Sequence, residues 1–165
     1  MSLLEQELKL VAENADVLEA ILQSELVKQA GTCEGTHGPE RFHAIYYDTP
    51  ALELEKKRHS LLPESDLKRE VLKILTLRSS LVPRVEVNMQ RTIRMLESEG
   101  SHFELVADRG VIKGTHGECV LHELELELKR GEVEPVLRLG KQIADAFGLT
   151  PSHKTKHEIG LSLCQ

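Results

Sequence analysis

The stretch Cys119-Val120-Leu121-His122-Glu123-Leu124-Glu125-Leu126-Glu127-Leu128-Lys129 decides the fold. Glutamates at 123, 125 and 127 alternate with leucines at 124, 126 and 128, and a period of two marks a strand with one wet face and one buried face. Same-face neighbours on a strand stand roughly 6.5–7 Å apart, so three ionised carboxylates there repel one another. A bound cation or water relieves that repulsion. The competing reading is a solvated outer sheet face on which Glu and Lys serve solubility. For a cation, oxygen-only ligands favour a hard divalent ion, Mg²⁺ or Mn²⁺ first.

The same alternation recurs at residues 3–10, where Glu5, Glu7 and Lys9 face one way and Leu4, Leu8 and Leu10 the other. Further strands are expected at 41–47, 85–95, 102–107 and 111–113, with turns at 98–101, 108–110 and 114–117 that imply antiparallel connections. Residues 31–39 read as a loop. Helical spacing at Val17, Leu18, Ile21, Leu22 and Leu26 follows a candidate cap at Asn14 or Asp16, and Gly31 ends that segment. A short helix is expected from Pro50 to about Arg58, a second over 64–80 (Leu67, Val71, Ile74, Leu75), and a third over 133–147 closed by Gly148. The tail at 154–163 reads as a last strand. Together these elements make an α+β domain spanning residues 1–165.

Length and composition agree. The 165 residues suit one domain with a core of its own, and 40% apolar with 29% charged residues is ordinary globular composition. Aromatics are 3% and Trp is absent, so Leu, Val, Ile and Ala must build the core. A net charge of −6 argues against binding duplex nucleic acid through a broad basic surface. Cys33, Cys119 and Cys164 are odd in number and dispersed, which favours free thiols in a reducing cytoplasm. A cytoplasmic location also follows from the charged opening segment without an apolar leader, and no apolar run is long enough to span a bilayer. Gly-Thr-His-Gly occurs at 35–38 and 114–117 as a coincidence of turn residues, and the eight histidines read as surface groups. There is no Walker A loop, no Gly-x-Ser-x-Gly and no His-Glu-x-x-His.

Glu5-Gln6-Glu7-Leu8-Lys9 resembles the N-terminal Glu-x-Glu-x-Lys signature of the CYTH family, the triphosphate tunnel metalloenzymes. That family includes class IV adenylate cyclases, thiamine triphosphatases and inorganic triphosphatases. Tyr46-Tyr47-Asp48-Thr49-Pro50, followed by Leu52 and Leu54, is similar to a second family segment. Gln90-Arg91-Thr92 resembles the strand that supplies a phosphate-binding Arg, and 103–112 the next hairpin with its Asp108. Residues 122–129 resemble the second acidic strand, and Thr155-Lys156 stands where the family has Ser-Lys. The matches run in family order across nearly the whole chain, and the inorganic triphosphatase branch is the most similar.

The resemblance implies an antiparallel β-barrel forming a tunnel, flanked by helices. It implies Glu5, Glu7 and Glu125 as metal ligands for Mg²⁺ or Mn²⁺, with Glu123 and Asp108 as co-ligands, and Lys9, Arg91 and Lys156 as phosphate binders. Glu5, Glu7 and Lys9 are then the residues expected to carry catalysis, and Glu127 simply continues its strand. One departure weighs against activity. Where the family has a Leu-Arg-x-Arg strand and a second strand ending in Thr-Leu-Lys, this chain has Leu61-Leu62-Pro63-Glu64 and a helical pattern, within which lies Thr76-Leu77-Arg78. Two tunnel strands and three basic ligands are expected to be missing, and Ile159 replaces a further Arg. Each charge-assisted phosphate contact is worth about 1.5–3 kcal/mol, so replacements are needed: Arg41, Arg94, Lys154, or basic residues of a second subunit. The incomplete barrel is expected to be open beside 41–47 and 85–95. Either the helix at 64–80 covers that gap, or two chains pair there as a homodimer. The expected function is a metal-dependent hydrolase of tripolyphosphate or a related organic triphosphate. The alternative is a non-catalytic module binding phosphate compounds or a protein partner. A cyclase would need base and ribose recognition, for which no motif is present.

Overall fold

The computed structural model describes residues 6–31, 37–50 and 81–165. Glu5, the helices expected at 50–58 and 64–80, and Thr76-Leu77-Arg78 therefore lie outside the described residues. In chain order the elements are β1 (Glu7–Val11), α1 (Ala15–Leu22), α2 (Glu25–Gln29), β2 (His37–Asp48), β3 (Val82–Ser98), β4 (Ser101–Lys113), β5 (Glu118–Arg130), α3 (Glu134–Phe147), β6 (Thr150–Ser152) and α4 (Lys156–Ser162). The six strands form one antiparallel sheet in the order β2-β3-β4-β5-β1-β6. Among the described residues the sheet does not close on itself. No described helix is long and apolar enough to cross a membrane.

The register sorts every side chain to one of two faces, because Arg91 pairs with Asp108, Asp108 with Glu123, and Lys9 with Glu125. One face carries Leu10, Leu96, Phe103, Leu105, Ala107, Leu124 and Leu126. It is buried under α1 (Leu18, Ile21), α2 (Val27) and α3 (Val136, Leu139, Ile143). Each of the larger side chains contributes about 1.5–3 kcal/mol on burial, so this layer anchors the sheet. The other face is divided. At one end Val85, Val87, Met89, Ile112 and Leu121 make a smaller core closed by Ile159, Leu161 and Leu163 of the C-terminal segment. The rest of that face is the polar stripe. The α4 backbone sits directly on β3: a Cβ at Gly160 would come within 2.1 Å of Val85 Cγ1, so no larger residue fits this crossing.

Several boundaries differ from the sequence reading, each for a local reason. The helix expected across 17–26 breaks at Gln23, because Ser24 caps a second helix through Val27 N–H while Asn14 caps the first through Val17 N–H. The turn expected at Asp108-Arg109-Gly110 is uninterrupted strand. Asp108 is held by Arg91 from β3, and a Cβ on Gly110 would lie 2.0 Å from the Asn88 carbonyl oxygen, so this glycine serves close strand approach instead of a turn. Residues 37–39, read as loop, belong to β2. The tail expected as a strand is helix α4, nucleated by a capping box in which Thr155 and Glu158 satisfy each other's backbone N–H groups. Finally, β3 lies between β2 and β4, so residues 85–95 are no sheet edge; among the described residues β2 is an edge strand. The turn at 98–101 holds as expected: Ser98 pairs with Ser101 across Glu99 (φ 51°) and Gly100 (φ 78°), the two positive-φ positions of a tight hairpin.

Candidate functional site

Four strands and one helix deliver their polar side chains to the middle of the divided face. β1 contributes Glu7 and Lys9, β3 contributes Arg91, β4 Asp108, and β5 Glu123 and Glu125. α4 contributes Lys156, its first residue. Period-two alternation puts the strand residues on one side, and the capping box at Thr155 fixes where α4 begins and so where Lys156 stands.

Lys156 is the hub. Its ammonium donates to Glu125 Oε1 at 2.9 Å and to Glu123 Oε2, and it lies 3.0 Å from Asp108 Oδ2. Arg91 grips Asp108 with both arms, Nε to Oδ1 at 2.8 Å and Nη2 to Oδ2 at 2.6 Å. Its Nη2 also lies 3.8 Å from Glu125 Oε2, and its guanidinium sits 4.7 Å over the Phe42 ring. Lys9 bridges Glu7 Oε1 (3.2 Å) and Glu125 Oε1 (3.5 Å). Side-chain exposure falls from 36% at Glu7 to 13% at Lys9 and Glu125, 10% at Lys156 and zero at Asp108 and Glu123. The site thus has a wet mouth at β1 and a dry end at β4 and β5. A pocket of about 160 Å³ lined by Glu7, Lys9, Ser152, His153 and Thr155 borders the mouth.

Four carboxylates face three cations, an excess of one negative charge. Burial drives the Glu123 carboxyl above its ordinary value, against the pull of Lys156. Burial acts the same way on Glu125, but there Lys156 and Lys9 prevail and its carboxyl is held below the usual range. For the Lys156 ammonium, burial favours loss of the proton, and the charges of Asp108, Glu125 and Glu123 overcome it and hold the pKa well above the usual lysine value. Hydrogen bonding to Asp108 raises that of Arg91. Lys9, desolvated but beside Glu125 and Glu7, is also raised.

Asp108, Glu123 and Glu125 each offer one oxygen, and these oxygens lie within 4.8 Å of one another. Three hard oxygen donors at that spacing could hold a divalent cation. Among the described residues, Glu123 Oε1 is buried with no hydrogen-bond donor, which is costly for a carboxylate.

Of the residues expected from sequence, Glu7, Lys9, Arg91, Asp108, Glu123, Glu125 and Lys156 share this face. Glu5 lies outside the described residues. Glu7 pairs with Lys9 at the mouth and is not in the close carboxylate group. Glu127 turns to a separate pair of contacts, with Lys129 bridging it (2.9 Å) and Glu104 (3.1 Å). The suggested replacements Arg41 and Arg94 lie at register positions of the opposite face, opposite Gln90 and Leu105. Lys154 is exposed ahead of α4. Sequence reasoning missed Phe42 beneath Arg91, and the stack of Tyr46 on His157 at 4.5 Å beside the hub lysine. Phe42 and Tyr46 alternate along β2 on the same side, a signal that was readable. No family model matches the chain.

Proposed function

We propose that this chain is a CYTH-like domain whose polar sheet face takes tripolyphosphate or a related organic triphosphate together with Mg²⁺ or Mn²⁺, and hydrolyses a phosphoanhydride bond. The observation that carries this reading is the convergence of three cations and four carboxylates, from five separate elements, on one half-covered face. A solvated outer face has no reason to bury Asp108 and Glu123 completely. Charges are placed at such cost mainly where chemistry uses them.

The donor set suits a divalent ion: it is all oxygen and closely spaced, and among the described residues Glu123 Oε1 receives no hydrogen bond. Asp108, Glu123 and Glu125 would hold the ion. When bound it neutralises phosphate oxygens and acidifies a coordinated water. Arg91 presents a flat fork suited to bidentate contact with a phosphoryl group, while Lys9 and Lys156 supply point charges on either side of it. Glu7, more exposed than the other carboxylates and 3.2 Å from Lys9, would take the proton from an attacking water.

One observation favours the second reading, a non-catalytic phosphate-binding module. Lys9, Arg91 and Lys156 are each already neutralised by a carboxylate, and Arg41 and Arg94 stand on the opposite face. Phosphate release from tripolyphosphate, ATP and thiamine triphosphate, with Mg²⁺ and with Mn²⁺, separates the two. Hydrolysis should fall at least ~100-fold in Glu125→Gln, the loss of about 2.7 kcal/mol of transition-state stabilisation. Calorimetric binding of tripolyphosphate without turnover leaves the module. Absence of both discards both readings.

A further inference from the structure

The ammonium of Lys156 sits on one oxygen of each of the three carboxylates, Asp108, Glu123 and Glu125, that could hold a cation. It contacts all three carboxylates at once. With 10% side-chain exposure it has little room to retreat while those contacts last. Among the described residues no donor reaches the buried Oε1 of Glu123 in this arrangement. One ammonium, with three donors spread over three carboxylates, thus leaves part of a six-oxygen group unserved. A divalent ion accepting six or more oxygen ligands would serve it more fully.

From this we infer that Lys156 is an internal counter-ion that closes the metal site, and that its ammonium and a divalent cation exclude each other there. The inference rests on the metal-and-phosphate reading above and adds a direction to it. Arg91 and Lys9 share Asp108 and Glu125 with Lys156 from the flanks, but a divalent ion bound among the three carboxylates would compete for the oxygens that the Lys156 ammonium contacts and would repel it at that range. Binding of the divalent ion must therefore expel the ammonium, and Lys156 is the first residue of α4, so the helix start is the element that yields. The expelled ammonium is then free to meet a phosphate oxygen. Metal and phosphate become cooperative: the metal releases the cation that the phosphate needs, and a phosphate that holds Lys156 outside clears the carboxylates for the metal. The cap is exposed at Thr155, and the tight contact at Gly160 on Val85 pins the far end of the helix.

The test is calorimetric titration with Mn²⁺ of the wild-type chain, Lys156→Met and Lys156→Arg, each with and without inorganic tripolyphosphate. Lys156→Met should bind Mn²⁺ roughly 10–100-fold more tightly than wild type, because the competing charge is gone. Lys156→Arg, which keeps the charge, should not. Tripolyphosphate should tighten Mn²⁺ binding in wild type and lose that effect in Lys156→Met. Should Lys156→Met be unfolded in metal-free buffer, Mn²⁺ should restore its circular dichroism, which reads the same exchange. Wild-type binding that weakens or stays equal in Lys156→Met overturns the counter-ion inference and leaves the metal site standing. No Mn²⁺ binding to any of the three chains overturns both.

Discussion

Replacing Glu125 by Gln removes one negative charge and leaves the shape of the side chain. Glu125 touches three cations: Lys156 at 2.9 Å, Lys9 at 3.5 Å and Arg91 at 3.8 Å. Removing one partner of a fully buried pair costs about 3–5 kcal/mol. Here the cost is smaller, because every cation keeps another partner: Lys156 keeps Asp108 and Glu123, Arg91 keeps Asp108, and Lys9 keeps Glu7. One charge-assisted hydrogen bond is lost outright, worth about 1.5–3 kcal/mol, so the variant should lose about 2 kcal/mol in metal-free buffer. For a domain of this size that is a fall in Tm of about 4–8 °C. The matched control is Glu127→Gln, whose partner Lys129 also holds Glu104 and is one-third exposed. It should lose no more than about 0.5–1 kcal/mol. Thermal and urea unfolding of the three chains decides the matter. Equal losses in the two variants would refute the claim that the carboxylates at 123–125 form a coupled, desolvated cluster distinct from the rest of the stripe.

Other outcomes follow from the same geometry. Asp108→Asn, which leaves Arg91 without its two-armed partner inside the sheet, should be worse than Glu125→Gln by about 1–3 kcal/mol in urea unfolding. Stability held by Lys156 and Lys9, whose folded pKa values are raised, is fully present below the unfolded lysine value near ~10.4 and is lost as pH rises through the folded values. Chemical denaturation should thus show a stability decline above about pH 10.4 that is shallower in Lys156→Met. On the acid side, the lowered carboxyl of Glu125 stabilises the fold above the unfolded value near ~4.3, and this is lost as pH falls through its folded value. The β2 edge gives a fourth outcome. A homodimer paired there should show twice the chain mass in light scattering at micromolar concentration, and a mass independent of concentration at one chain would reject it.

The strands were legible because alternation is a local property. Residues 119–129 and 7–10 read as strands from their own sequence, and pairing Lys9 with Glu125 only requires the leucines of both to share a core. The site was legible in part for the same reason, since Glu7, Glu123 and Glu125 lie on alternating positions that any strand would align. Lys156 was assigned to phosphate and not to the carboxylates, because its contacts span more than thirty residues of chain and depend on where α4 begins. The signal for that start was present as Thr155-x-x-Glu158, a capping box, but the alternation of Ile159, Leu161 and Leu163 mimicked a strand. Asp108 and Gly110 misled in the same way. Both favour turns in isolation, and here a guanidinium and a close strand neighbour set their conformation.

Diffraction from crystals grown with Mn²⁺ and a non-hydrolysable tripolyphosphate analogue shows whether this sheet face binds a divalent cation and phosphate together. The anomalous signal of manganese should fall among the carboxylates of Asp108, Glu123 and Glu125, with the Lys156 ammonium withdrawn from them and phosphate density within hydrogen-bond distance of Arg91 and Lys9. Manganese bound elsewhere, or Lys156 still seated on all three carboxylates in the presence of both ligands, would contradict the account.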